Sequence, residues 1–129
     1  MKRIDHIGVA VKDLDATLKF YQETLGLEVT ERMDHGNNRG AFVKVGQVEF
    51  EFLENKDPQS AIARHIEKRG EGIQHIAFEV DRIEEAVEGL KKKGIPFIDE
   101  KPRPGARGSR IVFMHPKSTY GILMELVQR

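Results

Sequence analysis

The chain has 129 residues, enough for one domain that can bury a core without disulfide or metal staples. Lysine plus arginine equals aspartate plus glutamate at 21 each, so net charge gives no reason to expect nucleic acid or an anionic membrane as a partner. Cysteine is absent, which excludes a disulfide scaffold, a thiolate nucleophile and a zinc–cysteine site.

The N-terminal residues run straight into a strand pattern over 3–11. No signal-type apolar region precedes it and no stretch approaches ~18 apolar residues, so a cytoplasmic setting without membrane contact is expected. A helix is predicted at about 13–25, with Leu14, Leu18, Tyr21 and Leu25 as its apolar stripe and Gly26 as its stop. Strands follow at 27–33, 40–46 and 48–54, with Gly46-Gln47 marking a turn between the last two. Asp57-Pro58 then opens a helix at about 59–69. Next come a strand at 73–80 and a helix at 82–93, striped by Ile83, Val87 and Leu90 and stopped by Gly94. The remaining strands are expected at 96–99, 110–115 and 121–128. Lys101 to Ser109 reads as a loop punctuated by proline and glycine, and Tyr120-Gly121 as a turn.

This order repeats itself. Ile4-Asp5-His6-Ile7 returns as Ile73-Gln74-His75-Ile76, Arg39-Gly40-Ala41-Phe42 as Arg110-Ile111-Val112-Phe113, and Glu51 as Glu125. The expectation is one α+β domain over 1–129, made of two βαβββ modules (about 1–56 and 71–129) joined by a helix at about 57–70. The modules would form a cupped, eight-stranded mixed sheet with the helices on its convex face.

Strand alternation assigns the faces. Ile7, Val9 and Val11 oppose His6, Gly8 and Ala10; Val48, Phe50 and Phe52 oppose Glu49, Glu51 and Leu53. Ile76, Phe78 and Val80 oppose His75, Ala77 and Glu79; Ile122, Met124 and Leu126 oppose Leu123, Glu125 and Val127. The apolar sides belong under the helices. His6, Glu51, His75 and Glu125 then project from the opposite side. Two carboxylates buried together call for a compensating cation, and two imidazoles with two carboxylates suit a divalent ion with positions left for substrate oxygens or water.

With these residues in place, the chain resembles the vicinal oxygen chelate (glyoxalase/bleomycin-resistance) superfamily, and within it the methylmalonyl-CoA epimerases. The resemblance covers essentially all 129 residues. It rests on the two histidine strands, on Phe20-Tyr21 with Leu25-Gly26-Leu27, and on Arg107-Gly108-Ser109-Arg110. Most of all it rests on Phe113-Met114-His115-Pro116-Lys117-Ser118 running into Gly121-Ile122-Leu123-Met124-Glu125-Leu126. The resemblance implies His6, Glu51, His75 and Glu125 as metal ligands, with cobalt first and manganese, nickel, zinc or magnesium as alternatives, and a homodimer. The activity it implies is R/S interconversion at the α-carbon of methylmalonyl-CoA, by proton abstraction through a metal-stabilised enolate. The epimerases' third-strand glutamate base falls, by a gapless match, on Val43, which leaves Glu51, Glu125 and Glu49 as acid–base candidates. His115, Lys117 and Ser118 are the candidates for contact with the acyl-CoA. Arg103, Arg107 and Arg110 could reach coenzyme A phosphates, although the sequence does not fix their aim. A glyoxalase-type isomerase or an iron(II) dioxygenase would keep much of the same shell, and a non-catalytic small-molecule-binding module would keep only the fold.

Overall fold

Alternating apolar and polar residues produce β1 (Arg3–Ala10), and Asp13 ends the turn after it by accepting a hydrogen bond from the Ala16 amide at 3.0 Å. That cap opens α1 (Leu14–Lys19), whose buried Leu14 and Leu18 face the sheet; the helix continues as a wider π-helical turn, Phe20–Thr24. The computed structural model describes residues 1–129, and its remaining elements are β2 (Glu28–His35), β3 (Asn38–Val45), β4 (Val48–Asn55), α2 (Ala61–Arg69), β5 (Gly72–Glu79), α3 (Ile83–Lys92), β6 (Arg103–Pro104), β7 (Arg110–Phe113) and β8 (Met124–Gln128). The strands form one mixed eight-stranded sheet in the order β2-β3-β4-β1-β5-β8-β7-β6. No helix is long and apolar enough to cross a membrane. The chain divides into two compact units, His6–Gln74 and Met1–Asp5 with His75–Arg129.

In the unit His6–Gln74, β3 lies antiparallel between β2 and β4, and β4 runs parallel to β1 with Gly8 opposite Glu51. One face is apolar: Val11, Leu14, Leu18, Ala41, Val43 and Phe52 form its buried cluster, packed by Val9, Tyr21 and Phe50. Burial of this face under α1 is the main stabilising term. The helix start is tied down from the sheet, because the buried Glu54 carboxylate accepts the Leu14 amide at 2.8 Å.

The unit Met1–Asp5 with His75–Arg129 follows the same plan. β8 runs parallel to β5 with Ala77 opposite Glu125, and antiparallel to β7. Val80, Ile83, Val87, Val112, Met114 and Leu126 make the cluster beneath α3. The Ile83 amide donates to the Gln128 side chain at 2.8 Å, the counterpart of the Glu54 contact. Asp5, buried, pairs with Arg3 and with Arg129 near the chain end.

The strand expected at 96–99 differs. There the chain makes a single bridge, Phe97 to Met114, with the Ile98 amide donating to the Phe113 carbonyl at 2.9 Å. Pro96 has no amide to give, so a regular ladder cannot start. The eighth strand is instead the short pair formed by Arg103–Pro104 against β7, inside the segment expected to be loop. β8 starts at Met124 rather than 121, since Tyr120 and Gly121 both take positive φ (57° and 99°) in the preceding turn.

Candidate metal and proton-transfer site

Each unit places one histidine and one glutamate on the face away from its helix. On β1, His6 lies two residues before Gly8, the partner of Glu51 on β4; on β5, His75 lies two residues before Ala77, the partner of Glu125 on β8. Small residues at the intervening positions leave room for the carboxylates. The Nε2 of His6 lies 3.4 Å from the Oε1 of Glu51, and the Nε2 of His75 lies 3.2 Å from the Oε2 of Glu125. Each imidazole also meets a phenylalanine ring nearly perpendicularly: Phe42 meets His6 at 6.0 Å between ring centres, and Phe113 meets His75 at 5.4 Å, both at 86°. The two phenylalanines are the register partners of the two glutamates, Phe42 of Glu51 and Phe113 of Glu125.

All four polar side chains are buried, with exposures of 4% for His6, 8% for Glu51, 3% for His75 and 3% for Glu125. Two carboxylates held out of water need positive charge nearby. Neutral imidazole and carboxylate oxygen are the donors that divalent ions from magnesium to zinc accept, so the residues fit such an ion.

The third-strand position matched to a base, Val43, is fully buried in the cluster under α1. No side chain there could reach the histidine face. The residues of β3 that share the parity of Phe42 are Asn38, Gly40 and Lys44, so this strand offers the site no carboxylate. Glu49 does share the face of Glu51, and its Oε2 accepts from the Thr30 hydroxyl at 2.8 Å.

His115 stands at the head of a 3₁₀ turn, Pro116–Thr119, where its Nδ1 accepts the Lys117 amide at 3.1 Å. Its imidazole therefore shapes the turn. Lys117 is exposed and Ser118 half-buried in the same turn. Arg110 is committed to an ion pair with Glu84, while Arg103 pairs with Asp99 and lies over the Phe113 ring. The sequence reading missed the two phenylalanines as histidine supports. The repeat Arg39 to Phe42 against Arg110 to Phe113 carried that signal, because both segments end at the position opposite a glutamate.

Comparison with known proteins gives one consistent pattern. Residues 5–113 match the family described as the glyoxalase/bleomycin resistance protein/dioxygenase superfamily. Human mitochondrial methylmalonyl-CoA epimerase is 38% identical, over 98% of this chain and 73% of that protein. The ethylmalonyl-CoA/methylmalonyl-CoA epimerase of Cereibacter sphaeroides is 37% identical, over 98% and 97%. Among solved structures, a variant of Streptomyces coelicolor methylmalonyl-CoA epimerase in complex with 2-nitronate-propionyl-CoA superposes with a TM-score of 0.92 at 38% identity, covering 99% of this chain and 97% of that one.

Proposed function

Because the chain belongs to the glyoxalase/bleomycin resistance protein/dioxygenase superfamily, we propose that it interconverts the R and S forms of methylmalonyl-CoA at the α-carbon. The observation that carries this reading is the duplicated, buried imidazole–carboxylate pair, His6 with Glu51 and His75 with Glu125. It occurs in a chain 37–38% identical over nearly its full length to enzymes named for that reaction.

His6, Glu51, His75 and Glu125 would hold one divalent ion, cobalt in first place. Such an ion, when bound, supplies Lewis-acid stabilisation of negative charge developing on the thioester oxygen during α-proton removal. The chain's own residues supply the rest. Phe42 and Phe113 meet the two imidazoles nearly perpendicularly and keep water from their flanks. Glu51 and Glu125 are the proton carriers, one taking the α-proton at a carboxylate oxygen and the other returning one to the carbon. Lys117 and Ser118, on the turn that His115 heads, contact the acyl-CoA. A homodimer and a cytoplasmic setting belong to the same reading.

The test is α-proton exchange of methylmalonyl-CoA in deuterium oxide, followed by NMR. Metal-loaded protein is expected to wash deuterium into the α-position. Chelation and His75→Ala are each expected to abolish the exchange. Metal-loaded wild-type protein that leaves the α-proton in place would sink the epimerase reading.

A further inference from the structure

Arg103 stands on the histidine face of its unit, and its surroundings are those of a receptor. Its register partner on β7 is Ile111, which packs with Ala77, Val127 and Phe113 on the side that carries His75 and Glu125. The guanidinium carbon sits 5.6 Å from the centre of the Phe113 ring, the same ring that meets His75 in a T-shaped contact. A guanidinium held over an aromatic face gains cation–π attraction while its outer N–H groups can serve other partners. Asp99 takes the Nε edge at 3.4 Å and is itself fixed by accepting the Phe113 amide at 2.8 Å. The side chain is 51% exposed, so the remaining edge reaches solvent.

The segment behind it is held tightly. The Gly105 amide donates to the Ser109 carbonyl at 2.9 Å, and the buried Ser109 hydroxyl donates to the Ala106 carbonyl at 2.7 Å. Arg103 is thus a cation held over the Phe113 ring and tied to Asp99 at Nε, one aromatic ring away from His75. Charge balance gives it a task. Two glutamates neutralise a divalent ion, so a substrate that brings its own negative charge meets no surplus positive charge among the four ligand residues.

We propose that Arg103 is an oxyanion receptor, using its outer guanidinium edge to grip a carboxylate or phosphate oxyanion of an acyl-CoA. The proposal rests on the acyl-CoA reading above. The test is calorimetric binding to the metal-loaded protein of three ligands: malonyl-CoA, propionyl-CoA (no free carboxylate) and malonyl-pantetheine (no nucleotide phosphates). Arg103→Met keeps an apolar stem over Phe113 and removes the charge. If the carboxylate is the partner, malonyl-CoA and malonyl-pantetheine weaken together by about ten- to a hundred-fold and propionyl-CoA does not change. If a phosphate is the partner, both coenzyme A thioesters weaken and malonyl-pantetheine does not. Should Arg103→Met not fold, the same selectivity is read at a smaller factor from Arg103→Lys, which keeps the charge without the planar fork. No change with any ligand, or an equal loss with all three, overturns the assignment. Because binding is read without turnover, absence of α-proton exchange in the wild type would sink the epimerase reading and leave this comparison intact.

Discussion

Two glycine-to-alanine substitutions in the same unit are expected to move stability in opposite directions, and the geometry sets both sizes. At Gly105 a Cβ would lie 2.6 Å from the Cγ2 of Ile111 and 2.7 Å from the Oγ of Ser109. Neither neighbour is a loose side-chain end. Ile111 is β-branched and buried, and Ser109 is committed to the Ala106 carbonyl. Overpacking of this kind costs about 1–3 kcal/mol. With an unfolding entropy of about 2.1 cal/mol/K per residue, 129 residues give about 0.27 kcal/mol per degree, so Gly105→Ala should lower Tm by roughly 4–11 °C. Gly89 lies within α3, exposed, with nothing within 4 Å of its would-be Cβ. There alanine should stabilise by about 0.5–1 kcal/mol and raise Tm by roughly 2–4 °C. Differential scanning calorimetry of both variants reads the pair. A Gly105→Ala variant that melts at or above the wild type would refute the packing argument for the Arg103–Ser109 segment.

Metal addition provides a second check. At a free ion concentration about a hundred times Kd, linkage stabilises the folded state by about 2.7 kcal/mol, or roughly 10 °C in Tm by the same conversion. Glu125→Gln keeps the side-chain shape and removes the charge, so its metal-induced shift should fall below half of the wild-type value in a thermal-shift titration; equal shifts would remove Glu125 from the ligand set. A third prediction concerns pH. Burial, with the Arg69 charge second, holds the His65 imidazole below its ordinary value of 6.5. The fold therefore resists its protonation, and the associated stability is present above pH 6.5 and lost as pH falls through the lowered folded-state value. His65→Gln should show a shallower loss of Tm between pH 7 and pH 5 than the wild type, and an identical slope would refute the shift.

Much of this architecture was legible because it depends on parity and period. The placement of Val9, Phe50 and Phe52 under α1, and of His6 and Glu51 on the other face, follows from two-residue alternation alone. The recurrence of Ile-x-His-Ile located the second histidine strand without a structural guide. What escaped depends on contacts between residues far apart in sequence. Nothing local tells that Glu54 and Gln128 each reach back 40 and 45 residues to a helix amide. The Arg103–Pro104 strand was hidden because its proline and glycines signal a loop, and only pairing with β7 makes it extended. The expected 96–99 strand failed for the reverse reason: its apolar pattern is suitable, but Pro96 cannot donate.

The two modules keep one frame and differ in what they hang on it. The shared parts are those the backbone geometry demands: a histidine two residues before a small residue, a glutamate opposite that small residue, a phenylalanine opposite the glutamate, and a side chain three residues further on that captures the first helix amide. Beyond them the histidine faces diverge. In the unit His6–Gln74 the neighbours of Glu51 are a second carboxylate, Glu49, and Lys44, its register partner on β3. In the other unit the corresponding surface is apolar, with Ala77, Ile111 and Val127 buried together and Arg103 at its border. A face rich in titratable groups suits proton transfer, and an apolar face with one anchored cation suits holding an anionic ligand in a fixed pose. On the epimerase reading each unit keeps one proton carrier, Glu51 or Glu125, and differs in what surrounds it: titratable neighbours in one unit, an apolar surface bordered by an anchored cation in the other.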